Sequence, residues 1–180
     1  SYPGQVPPPL PEYFAAIAKA VQAHGLAGRI ELWAEPGRAL VASGASVVTQ
    51  VLLRRGEALY INDGVFGSLA DAGALGFRYP ARLVRPWDAS ASRQARPFAF
   101  YGPTCDAADH MKGPFWLPSD VDEGDWIEIG QLGAYGAALR TAFNGFDRAK
   151  LADVADSPLP IDDDHGVAPV LSGATSPFFG

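Results

Sequence analysis

Cysteine, histidine and basic charge are all scarce in this chain, and each scarcity removes a class of function. A single cysteine, Cys105, permits no internal disulfide, so the fold owes nothing to an oxidising compartment. The three histidines, His24, His110 and His165, have no metal-ligand spacing with that cysteine. Fourteen Lys and Arg face twenty Asp and Glu, and a formal net charge of −6 argues against nucleic acid as the partner. That charge suits a small cationic substrate better. No apolar run is long enough to span a bilayer and no charged-then-apolar signal opens the chain, so a cytoplasmic location is expected. The glycines form neither familiar nucleotide-binding loop, and no internal repeat is visible. An initiator methionine is also missing, since Ser1-Tyr2-Pro3-Gly4 opens the sequence. A processed chain, or the interior of a longer one, is the expectation.

What is present has two textures. Pro11 stands in the first turn of an expected helix, with Tyr13, Phe14, Ile17, Ala18 and Val21 at three- and four-residue spacing and Gly25 as its stop. Residues 29–34 read as a short strand, broken by Glu35-Pro36-Gly37-Arg38. Helix, loop, strand and polar strand end make the rhythm of one βα-barrel unit, and one unit cannot bury itself. Exposed apolar surface from Tyr13, Phe14 and Ile17 is the expected consequence.

From about Ser43 the chain turns β-rich. Strands are predicted at 47–53, 59–61, 81–84, 96–101, 125–129 and 137–143, with Gly, Pro and Asp between them. A small-residue helical excursion is predicted over 66–75. This pattern predicts a closed or sandwiched antiparallel sheet. The organisation is therefore a βα unit over 1–42, a mainly β domain over 43–150 and an irregular tail over 151–180. Asp162-Asp163-Asp164 in that Pro- and Gly-rich tail reads as solvated charge.

Four segments occur in order along this frame. They are Glu35-Pro36-Gly37-Arg38, the run Tyr60-Ile61-Asn62-Asp63-Gly64-Val65-Phe66-Gly67-Ser68, the run Gly102-Pro103-Thr104-Cys105-Asp106-Ala107-Ala108-Asp109, and Gly124-Asp125-Trp126 through Gly133-Ala134-Tyr135. Each has a plain local reading: Arg38 as a surface arginine, Asp63 as a turn residue, Asp106 as a helix N-cap supported by Asp109, Cys105 as a small buried hydrophobe and Tyr135 as a core tyrosine. Taken together, and with Phe143-Asn144-Gly145-Phe146, they resemble the C-terminal half of the pyridoxal-phosphate-dependent ornithine decarboxylase family. Each tetrapeptide alone says little; four in order are specific. The resemblance runs from Ser1 to about Phe146.

The resemblance implies an alanine-racemase-like architecture, a cofactor-holding βα barrel followed by a β domain, here the mainly β C-terminal barrel or sandwich. It implies pyridoxal phosphate as cofactor, with Glu35 beside the pyridine nitrogen and Gly37, Arg38 and Tyr135 on the phosphate. It assigns Asp63 and Asp106 to the distal ammonium of a diamino acid and Cys105 to catalytic proton placement in a partner's site. Asp109 is structural in this reading. The family pattern usually continues from the tyrosine with threonine, whereas Gly136 follows here. The implied reaction converts L-ornithine or L-lysine to putrescine or cadaverine and carbon dioxide, in polyamine biosynthesis, within a two-fold homodimer with shared sites. Diaminopimelate decarboxylases, the near alternative, usually carry Glu-Ser after the cysteine, whereas Asp106 suits a plain ammonium tip. A non-catalytic decoy of the antizyme-inhibitor kind is the other alternative. Lys19, Lys112 and Lys150 lack the strand-end context of the family's cofactor-bearing lysine, so this chain alone is expected to be inactive.

Overall fold

The computed structural model describes residues 8–85 and 91–159; the Ser1–Gly4 opening, the Asp162–Asp164 run and His165 lie outside them. Helix α1 spans Leu10–Ala23 and closes as expected. Gly25 adopts φ +61 and its amide bonds to the Gln22 carbonyl, while Leu26 N–H reaches back to Val21. This is the paired closure that a glycine in the left-handed region makes cheap. None of the helix is buried, and Tyr13, Phe14 and Ile17 lie open to solvent.

Residues 29–34 correct the first expectation: they form no strand, and Ile30, Leu32 and Trp33 are exposed. A barrel strand is held by neighbours on both sides, and among the described residues none pairs with it. After Gly37 comes a one-turn helix α2, Arg38–Val41, leading into the sheet.

The six strands are β1 Val47–Arg55, β2 Ala58–Ile61, β3 Ala81–Val84, β4 Ala95–Tyr101, β5 His110–Pro118 and β6 Trp126–Ile129. Their order is β3-β6-β1-β2-β4-β5, and the two edge strands approach each other, curling the sheet into a half-barrel. Strands β1 and β2 form a tight hairpin, with Arg55 opposite Ala58. The sheet is antiparallel as expected at every described pairing but one, since β2 and β4 run parallel. Between them the chain leaves for the far edge, makes β3 and returns, and a crossover of that length permits a parallel pair.

Strand β5 went unread in the sequence. Its Gly113-Pro114 pair looks like a break, but it sits where the β4–β5 register shifts, on an edge strand where proline costs no ladder bond. The predicted strand over 137–143 does not form either. Arg140 N–H bonds to the Ala137 carbonyl, Thr141 N–H bonds to the Phe66 carbonyl, and Phe143–Gly145 makes a 3-10 turn. That segment spends its backbone bonds on a neighbouring loop rather than on a strand.

The core lies inside the curl. Leu59, Ile61, Phe98, Phe100, Met111, Phe115, Leu117, Ile127 and Ile129 are buried, and Phe100 stacks on Phe115 with centroids 4.1 Å apart. Alternate residues face outward, where Tyr60, Tyr101 and His110 stack in a row, at 5.0 and 4.3 Å. Among the described residues no helix is long and apolar enough to cross a membrane, and no group of three or more His, Cys, Asp or Glu is placed to hold a metal ion.

Candidate active site

Two loop segments at one end of the sheet build the candidate site. One runs from Asn62 to Ala72 after β2; the other runs from Gly133 to Phe146 after β6. Both segments contribute to a cluster around Arg38 and to a cluster around Asp63.

The first cluster encloses most of the Arg38 side chain. Its Nη2 donates to Asp71 Oδ2 at 2.5 Å, and its guanidinium carbon lies 4.9 Å from the Tyr135 ring centroid and 5.1 Å from that of Phe77. A guanidinium this near an aromatic ring gains cation–π attraction, and here two rings supply it. Burial works against the charge, but hydrogen bonds with Asp71 and Tyr79 outweigh it and raise the Arg38 pKa. Burial likewise pushes the Tyr79 phenol up, against the opposing pull of Arg38. Tyr135 is half-exposed and takes φ +63, a region that costs a non-glycine residue about 1–3 kcal/mol. Gly133 lets this segment press on α2: its amide bonds to the Ala42 carbonyl, and a Cβ there would overlap the Val41 carbonyl.

The second cluster centres on two carboxylates. Asp63 Oδ1 accepts from Gly64 N–H at 2.8 Å and Ser68 N–H at 2.9 Å. Its Oδ2 accepts from Arg140 Nη2 at 2.9 Å, and the same nitrogen donates to Ser68 Oγ. Asp109 joins the Asp63 loop to the Cys105 loop. Its Oδ1 accepts from Val65 N–H, and its Oδ2 accepts from both the amide and the hydroxyl of Thr104. Gly64 and Gly102 flank that carboxylate so closely that a Cβ on either would overlap it. Asn144 adds a bond from its side-chain amide to the Thr104 carbonyl, and Phe143 packs on Phe66 at 4.4 Å.

Cys105 and Asp106 protrude from this clamp. Cys105 is exposed at φ +57, which sets aside the reading of a buried small hydrophobe. Asp106 does not cap a helix, because none follows. Its Oδ1 accepts from Ala108 N–H in a local turn, and the carboxylate is otherwise open to solvent. Of the four non-glycine residues with positive φ among those described, two are Cys105 and Tyr135. Backbone strain of this kind gathers where a side chain must be aimed.

Arg38 is not the surface arginine of the local reading. It meets Tyr135, and Asp63 is tied to the Cys105–Asp106 loop through Asp109. Gly37 directly precedes α2, and Glu35 is exposed on the segment ahead of it. Arg38 and Tyr135 offer a guanidinium and a phenol, groups whose chemistry suits phosphate oxygens, with the Asp71 carboxylate already paired to Arg38. Asp71 and Arg140 were not read from the sequence. Each is a lone charge in an Ala-rich run, Leu69-Ala70-Asp71-Ala72 and Ala137-Ala138-Leu139-Arg140, and a lone charge in such a run needs a partner if it is buried.

The fold is that of the C-terminal sheet domain of the pyridoxal-dependent decarboxylases. Residues 41–133 match the C-terminal sheet domain of that family, and the chain belongs to it. It is 32% identical over 138 residues to the ornithine decarboxylase of Panagrellus redivivus, covering 67% of this chain and 31% of that protein. The Schizosaccharomyces pombe ornithine decarboxylase is 33% identical over 135 residues, covering 68% and 31%. Among solved structures, the Vibrio vulnificus lysine/ornithine decarboxylase complexed with cadaverine superposes with a TM-score of 0.67 at 29% identity, covering 87% of this chain and 42% of that one. The chain thus spans about a third of the length of the curated relatives it matches.

Proposed function

We propose that this chain is the C-terminal part of a pyridoxal-phosphate-dependent decarboxylase acting on L-ornithine or L-lysine and yielding putrescine or cadaverine. The observation that carries the reading is the gathering of Arg38 with Tyr135, and of Asp63 with the Cys105–Asp106 loop, by the same two segments. The diamine in the Vibrio vulnificus structure supports a substrate with a plain ammonium tip.

Pyridoxal phosphate, when bound, supplies the sink for the electron pair left by departing carbon dioxide. Arg38, Tyr135 and the Gly37 backbone would hold its phosphate, and Glu35 would favour protonation of its ring nitrogen through opposite charge. Asp106 and Asp63 line the end of the site that takes the distal ammonium of the substrate, which a carboxylate holds by a charge-assisted hydrogen bond. Cys105 Sγ carries a proton to the carbon that has lost its carboxylate. Exposure of Cys105 and Asp106 supports their use in a second subunit's site, within a homodimer. The lysine that carries the cofactor belongs to a barrel portion outside this chain.

Carbon dioxide release from L-ornithine, L-lysine and diaminopimelate by the complete enzyme tests this reading. The two simple diamino acids should react, and Cys105→Ala should cut kcat about 100-fold or more, the usual worth of a positioned proton donor, while cofactor affinity holds. Equal loss of turnover and cofactor binding would remove Cys105 from the chemistry.

A further inference from the structure

Asp63 has spent most of its hydrogen-bonding capacity before any substrate arrives. Two backbone amides hold Oδ1, and Arg140 holds Oδ2 at 2.9 Å. An ionised carboxylate offers about four acceptor positions, so roughly one remains. That one lies beside a guanidinium whose charge cancels the attraction Asp63 would exert on a cation. Both side chains are largely shielded from water, where screening is weak and the pairing counts. Asp106 differs on each point, being exposed and bonded only to its own loop.

We propose that Arg140 is a specificity-determining positioning residue: by neutralising Asp63 it leaves Asp106 as the carboxylate whose charge reads the distal ammonium. The inference rests on the diamino-acid reading above and deepens it. Arg140 touches neither cofactor nor substrate in this scheme; it acts through Asp63. Ser68 contributes to the device, since its hydroxyl accepts from the Arg140 nitrogen that holds Asp63 and its amide fixes the other carboxylate oxygen. A diamino acid therefore meets one fully charged carboxylate rather than two.

The test is steady-state kinetics of the complete enzyme, with cadaverine and putrescine inhibition as a second readout. Arg140→Gln retains a donor for Asp63 but removes the charge. KM for L-ornithine and L-lysine and Ki for both diamines should fall roughly tenfold, the lower end of what a charge-assisted hydrogen bond is worth. Arg140→Lys should restore values near those of the unaltered enzyme. Asp63→Asn combined with Arg140→Gln should erase the gain, because the freed carboxylate is its source. If Arg140→Gln folds poorly, Ser68→Ala loosens Arg140 without deleting it and should shift KM in the same direction by a smaller factor.

A merely structural Arg140 would raise KM in whichever variant folds, Arg140→Gln or Ser68→Ala; that result in place of tighter binding overturns the inference. Loss of activity toward diaminopimelate alone would also overturn it, showing Arg140 to be a reader of a distal carboxylate. An unaltered enzyme that decarboxylates no diamino acid defeats the functional reading itself, and this inference with it.

Discussion

The N-terminal arm and the sheet body carry apolar residues at equally regular spacing, yet only the body buries them. In α1, Phe14 is 62% exposed; in β4, Phe100 is fully buried and stacked on Phe115. Periodicity reports which face of an element seeks cover, and it is silent on whether cover is there. The two regions also end their elements differently. The arm closes its helix by local backbone bonds alone, whereas the body fixes its loops by side chains such as Asp109 that reach across more than one segment.

The sharpest way to break this comparison is to make the same substitution in both regions. Phe100→Ala removes a buried aromatic ring and should cost about 3–5 kcal/mol. Phe14→Ala should stay within about 0.5 kcal/mol, as surface changes do. Urea denaturation midpoints followed by near-ultraviolet circular dichroism would measure both. If the two costs prove alike, the arm is packed in solution against something that cooperates with the sheet.

Glycine gives the next contrast. Gly102→Ala would drive a methyl into the Asp109 carboxylate and disturb the clamp between the Asp63 and Cys105 loops, at a cost of about 1–3 kcal/mol, or more if the carboxylate loses its donors. Gly25→Ala meets open space and carries only the left-handed backbone penalty, about 1–2 kcal/mol, felt by the helix end rather than by the sheet. Thermal unfolding should therefore separate a body that loses Tm after Gly102→Ala from one that ignores Gly25→Ala.

These contrasts mark what a linear reading captures. Strands β1, β2, β3, β4 and β6 were legible because β-branched and aromatic residues alternate between clear turn signals. Strand β5 was hidden by Gly113-Pro114, since a break and an edge bulge use the same residues. Residues 29–34 have strand composition but no pairing neighbour among the described residues, and 137–143 have it but are claimed by the Phe66 loop. At the site, Arg38, Asp63, Cys105, Asp106 and Tyr135 stood out through the resemblance. Asp71 and Arg140 did not, because their roles exist only once residues 33 and 77 positions away fold back onto them. The parallel pairing of β2 with β4 is invisible for the same reason.

Acid supplies the smallest effect, and it should fall on the body through β6. Asp125 precedes the strand and Glu128 lies within it. Burial pushes both carboxyls up, but donors overrule it: Arg85 and the Asp122 amide at Asp125, and Ser46, Arg82 and the Leu159 amide at Glu128. The net shift of each is downward, so the folded chain holds these protons less tightly than the unfolded chain does. Their contribution to stability is complete above the unfolded carboxyl values, near pH 4, and is lost as pH falls through the lower folded values. Denaturation midpoints should hence be flat above pH 5 and decline below about pH 4. Arg82→Gln should shrink that decline by removing one of the groups that depress Glu128. Because the Arg82 side chain is nearly half exposed, the change should be modest and should diminish further in high salt. A decline unchanged by Arg82→Gln would leave the acid sensitivity with the Ser46 and Leu159 donors of Glu128 and with the Arg85–Asp125 pair.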